Sequence, residues 1–112
     1  MKKDPNIFLE HILQSIMLIE QYLKNKTQKD FLNSTQLQDS IIRRIEIIGE
    51  ATKNIPKEFK KAHKEIPWSK ISGMRDILIH QYFGIDLDLT WEVVKSDLPE
   101  LKKNILKFKN NL

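Results

Sequence analysis

The 112-residue chain carries 19 lysines and arginines against 15 acidic residues, a net charge of +4, and no cysteine. That length suits a single domain, 1–112, burying roughly 65% of its unfolded surface, so a second subunit would add usefully to its stability. Lack of cysteine excludes disulfides and thiolate metal sites and fits a reducing cytoplasm, while Asp4, Pro5, Glu10, His11, Gln14, Ser15 and Glu20 interrupt any signal-peptide or membrane-spanning pattern.

Three glycines, four prolines, no two-residue hairpin signal and no internal repeat predict helices throughout. Asp4 and Pro5 make an N-cap and first-turn pair for a helix over about 5–24, with Phe8, Ile12, Ile16, Ile19 and Leu23 at helical spacing. "NKTQKDFLNS" reads as a polar connector to a second helix over about 35–54, whose stripe is Leu37, Ile41, Ile45, Ile48 and Ile55 and whose stop is Pro56. Gly49 inside it costs roughly 1 kcal/mol relative to alanine, which marks a place where another helix passes close. A short helical piece near 57–64 precedes a third major helix over Pro67–Tyr82, ended by Gly84. The last helix, about 88–109, presents Trp91, Val94, Leu98, Leu101, Ile105 and Phe108, and Pro99 should kink or split it. Four main helices and one short one suggest an all-α antiparallel bundle.

Charge is unevenly spread. Lys53, Lys57, Lys60, Lys61, Lys64 and Lys70 face only Glu58 and Glu65 over 53–70, leaving +4 there, and Lys102, Lys103, Lys107 and Lys109 form a second cluster. Such patches attract phosphates with salt-sensitive affinity, although solvated helix faces carry the same pattern.

The stretch "GMRDILIHQYFG", 73–84, combines a guanidinium, a carboxylate, an imidazole and a phenol on one predicted helix. At about 100° per residue, Ile71, Met74, Ile77, Leu78 and Gln81 share the core side, while Asp76 and His80, four apart, stack opposite. A carboxylate there can accept from the imidazole and fix its tautomer. Arg75 and Tyr82 line up on a flank beside Ile79, but Arg75 and His80 lie about 140° apart on an ideal helix and cannot easily meet at one atom. Either the helix unwinds near His80, or two chains pack so that both subunits' Arg75 and His80 converge. The apolar Ile79 favours the second arrangement.

"RDILIHQY" resembles the R-x4-H-x-Y motif of HepT-like toxins in the HEPN superfamily, with Asp76 as the polar residue after the arginine. "RIEIIGEATKNIP" is similar to that family's second helix, "IPWSKISGMRD" to the approach to its motif, and "WEVVKSDLPEL" to its last helix. The resemblance implies a HEPN-like fold and a homodimeric, metal-independent endoribonuclease without a cofactor. It further implies the toxin of a toxin–antitoxin system, silenced when an MNT-type nucleotidyltransferase antitoxin transfers AMP to Tyr82.

These residue types suit that chemistry. A metal-free cut by the RNA's own 2′-OH needs proton transfer near neutral pH, for which His80 is fitted, and a cation for the anionic phosphorane, for which Arg75 is fitted. Asp76 would orient His80; Lys53, Lys57, Lys60, Lys61 and Lys70 are candidate RNA contacts. A rival reading is a noncatalytic nucleotide- or RNA-binding subunit of a nucleotidyltransferase complex. His11 and His63 lack partners at metal-ligand spacing, Trp68 and Trp91 sit at core spacing, and Glu50 is as suited to a helix surface as to the cleft.

Overall fold

A computed structural model describes residues 4–80 and 84–110, and these are all-α apart from one two-residue strand pair. Asp4 caps helix α1 (Pro5–Tyr22) by accepting the Asn6 backbone N–H at 2.9 Å, and Pro5 occupies the first turn, where no N–H is required. Ile12, Ile16, Ile19 and Leu23 are buried as their spacing predicts, joined by Leu9 and Leu13, with Phe8 packed at the core's edge.

The expected connector contains a helix of its own, α2 (Gln28–Leu32). Thr27 accepts from the Asp30 N–H at 3.2 Å while the Asp30 carboxylate accepts from the Thr27 N–H at 2.8 Å. Those two bonds hold the Asp30 carboxyl below its ordinary range. The cap starts a turn that carries Phe31 into the core, fully buried.

Helix α3 (Thr35–Asn54) has the predicted bounds, with Ser34 accepting from the Leu37 N–H and Ile55 extended before Pro56. Gly49 is indeed a crossing point: a β-carbon there would lie 3.3 Å from the Ser72 carbonyl oxygen and 3.7 Å from that of Ile71. After α4 (Lys57–Ala62), the long helix expected over 67–82 is replaced by α5 (Trp68–Ser72), α6 (Met74–Leu78) and a strand β1 (Ile79–His80), paired antiparallel with β2 (Gly84–Ile85). Ile79 adopts an extended conformation, and the carbonyl that the helix end leaves free at Leu78 accepts the Asp86 N–H at 2.7 Å. Gly84 supplies a φ of +78° at the start of the returning strand. The pair is separated by three residues, so no two-residue turn signal announced it.

Breaking the helix changes which residues are inside. Met74 and Leu78 are buried, but Ile77, expected in the core, is 52% exposed. The last helix begins as α7 (Leu87–Glu92), widens into a π-helical segment over Val93–Asp97, and continues as α8 (Leu98–Asn110). Pro99 has no N–H for the carbonyl four residues back, and the turn before it widens so that the Leu98 N–H reaches the Val93 carbonyl, five residues back.

Ion pairs give the directions of packing. Glu20 meets Lys102 at 2.9 Å and Glu10 meets Lys109, so α1 and α8 run antiparallel. Glu46 meets Arg75 while Gly49 meets Ser72, so α3 and the α5–α6 pair are antiparallel too. Trp68 is buried and donates its indole N–H to the His63 carbonyl at 2.9 Å, whereas Trp91 is half-buried, packed on Phe31 with the Lys95 ammonium over its ring.

Candidate functional site

Arg75 stands on the single turn of α6, and the antiparallel packing of that turn on α3 brings it against Glu46. The Arg75 Nε donates to Glu46 Oε2 at 2.8 Å, and Arg75 Nη1 lies 3.5 Å from Asp76 Oδ1. The Glu46 hydrogen bond and charge, with a smaller contribution from Asp76, raise Arg75 above its already high ordinary pKa, so the guanidinium is a fixed cation. Its side chain is 47% exposed.

His80 lies on β1, two residues past the end of α6, so the helical angle between it and Arg75 does not apply; the chain unwinds before His80, the first of the two arrangements the sequence left open. The helical stacking of Asp76 with His80 is likewise not the backbone geometry, and Asp76, 77% exposed at its side chain, is placed instead beside Arg75. Tyr82, the expected acceptor of AMP, lies outside the described residues, between β1 and β2.

Glu46 was missed in the sequence. It sits three residues before Gly49, on the face of α3 that the close-approach glycine marks, and that spacing was the available signal. Glu50, by contrast, is a surface carboxylate 3.5 Å from Lys53.

The candidate lysines do not converge on Arg75. Lys53, seven residues after Glu46, lies within about 20° of it around α3 and about 10 Å further along the axis. Lys57, Lys60 and Lys61 are on α4, beyond the end of that helix. Lys70 instead points across α5 to Asp97 of the π-helical segment at 3.6 Å, at a cleft of about 300 Å³ that Met74, Leu101 and Asn104 also line. Burial, and secondarily the charge of Lys57, lower the Lys60 ammonium below its ordinary value. His11 packs edge-on to Phe8, and His63 is held between Phe59 and Phe108; among the described residues no three His, Asp or Glu side chains gather as a metal site would require.

A sequence model of the HepT-like ribonucleases matches residues 12–108. The chain belongs to the HepT-like ribonuclease family. It is 60% identical over all 112 residues to a protein of Methanocaldococcus jannaschii whose name joins gamma-glutamylcyclotransferase with a candidate RNase, but it spans only 50% of that protein's length. A candidate ribonuclease HepT of Thermococcus cleftensis is 48% identical over 102 residues, covering 91% of this chain and 93% of its own. A candidate RNase of Caldanaerobacter subterraneus subsp. tengcongensis is 44% identical over 103 residues, 92% of each chain. No solved structure matches the chain. Among the described residues no helix of this family member is long and apolar enough to cross a membrane.

Proposed function

We propose that this HepT-like chain is a metal-independent endoribonuclease whose cleft is completed by a second copy of the chain, and that it is the toxin of a toxin–antitoxin pair. The observation that carries the reading is Arg75: a guanidinium anchored through Nε to a neighbouring helix, half-exposed, on a helix that stops before His80. A cation held in this way costs little reorganisation when a phosphate reaches it, which is what stabilisation of a phosphorane requires.

In the reaction, His80 takes the proton of the ribose 2′-OH as that oxygen bonds to the adjacent phosphorus. The bond from phosphorus to the 5′ oxygen breaks, a proton is returned to that oxygen, and the products are a 2′,3′-cyclic phosphate and a 5′-hydroxyl. Arg75 faces the charge that grows on the non-bridging oxygens, and Lys53, Lys57, Lys60, Lys61 and Lys70 hold flanking phosphates. His80→Ala should keep the fold and lose about 10²-fold or more in cleavage of RNA, with the parent's products unchanged by chelators. End-group analysis of the fragments checks this; cleavage by His80→Ala at the parent rate would return the chain to the rival reading of a noncatalytic RNA-binding subunit.

Regulation follows from the phenol in the motif. The antitoxin nucleotidyltransferase would join the Tyr82 oxygen to the α-phosphorus of ATP and release pyrophosphate, adding bulk and negative charge to the motif that oppose incoming RNA. Incubation with a neighbouring nucleotidyltransferase, ATP and Mg²⁺, followed by peptide mapping, should locate added AMP on Tyr82 and find cleavage abolished. Modification at another residue, or full cleavage after Tyr82 is modified, overturns the switch.

A further inference from the structure

Two elements that carry lysines from separate parts of the sequence, α4 and the C-terminal turns of α8, meet in the fold. Phe59 of α4 packs edge-to-face on Phe108 of α8 with ring centroids 6.2 Å apart, and His63 sits between them at 4.4 Å from Phe59 and 4.1 Å from Phe108. This aromatic joint seats α4 beside the C-terminal turns of α8 and leaves the lysines of α4 on its outer side. On α4, Lys57, Lys60 and Lys61 are spaced i, i+3 and i+4, on the side opposite Phe59, and Lys107 is exposed one residue before Phe108. None of these four takes part in an ion pair among the described residues, whereas Lys53, Lys70, Lys102 and Lys109 each do.

Like charges at i, i+3 and i+4 oppose helix formation, and α4 has six residues and no side-chain cap to offset them. Lys60 is already depressed by burial and by Lys57. A surface that concentrates unpaired cations in this way is stabilised by a polyanion laid across it.

We infer that the α4–α8 end is a second RNA-binding surface, remote from Arg75, which grips the substrate strand several nucleotides from the cut. The proposal rests on RNA being the substrate. Lys53 is seven residues after Glu46 on the unbroken α3, so that helix leads about 10 Å away from the guanidinium toward this end. With α4 lying beyond Lys53, the separation is roughly 10–20 Å, or about 3–6 nucleotides at ~3.4 Å each. The surface therefore sets a minimum substrate length.

The test is binding of labelled oligouridylates carrying 2′-O-methyl groups at every position, which cannot be cut by 2′-OH attack, at lengths of 3, 6 and 12 nucleotides. In the variant Lys57→Gln/Lys61→Gln/Lys107→Gln, all exposed positions, anisotropy should show about 10²-fold weaker binding of the 12-mer near 0.1 M salt, and a slope of log affinity against log salt reduced by about 2, near 0.7 per lysine. The loss should be confined to oligomers longer than the trinucleotide. An unchanged slope, or an equal loss for the trinucleotide, overturns the proposal. So does a variant that binds RNA as the parent does but no longer co-purifies with a nucleotidyltransferase partner, which would make this a protein-docking face. Because the probe cannot be cleaved, a parent that binds it with the predicted slope yet cuts no RNA would refute the nuclease reading and leave the surface standing.

Discussion

Arg75 and Glu46 form an ion pair whose worth is geometric. Both side chains are too exposed for the pair to add much stability, since screened surface pairs contribute about 0–1 kcal/mol. Glu46 does restrict the guanidinium to one orientation, with Nε engaged. It also places a negative charge where the proposed reaction brings an anionic substrate, and those two roles oppose each other. Glu46→Ala should therefore lower kcat by about 10- to 10²-fold through misplacement of Arg75, while KM for RNA stays level or falls because a repelling charge is gone. Glu46→Gln, which keeps an acceptor for Nε, should recover most of kcat. Steady-state cleavage of a defined RNA by the three proteins decides this: equal loss in both variants with KM unchanged would reduce Glu46 to a structural residue.

At the scale of elements, legibility followed the strength of periodicity. Helix α3 is legible in the sequence because an apolar stripe runs to a stop at Pro56, and α1 nearly as well, while the Ser34 cap is seen in the structure. Helix α2 was hidden by its polarity: a single Phe31 gives no period, and the Thr27–Asp30 capping box was its only mark. The motif helix was overextended for the opposite reason. Met74, Ile77, Leu78 and Gln81 continue the helical spacing past the point where the backbone leaves it, since pairing Ile79–His80 with Gly84–Ile85, and the Leu78 carbonyl with Asp86, satisfies the chain end by long-range bonds that no local propensity records. Pro99 was correctly read as a disturbance, but a widened π turn absorbed it where a kink or split was expected.

For the whole molecule, the family and the all-α class define a scaffold, and the composite cleft is the property left to test. Ile79, expected to need an interface, packs at the edge of the chain's own core, whereas Ile77, two residues from Arg75, is exposed, so the apolar side chain that a second copy can cover on the motif face is Ile77. If each cleft takes Arg75 and His80 from different subunits, Arg75→Ala and His80→Ala chains, each inactive, should regain activity when mixed and re-associated, up to about a quarter of the parent, from one intact site in half of the dimers. A mixture as inactive as its components would mean that each site is built within one chain.

What sequence alone settled was what local rules govern: the helical class, the two long apolar helices, the crossing at Gly49, the uneven charge, and the HepT-like family. Each follows from periodicity, capping, side-chain size or a contiguous pattern, all written within a few turns of chain. Tertiary structure alone decided that Glu46, 29 residues from Arg75, holds it, that the motif helix stops at Leu78, and that lysines near 60 and 107 share one end of the molecule. Those depend on which helices lie side by side, and side-by-side packing is fixed by the burial of the whole core rather than by any segment's own preference.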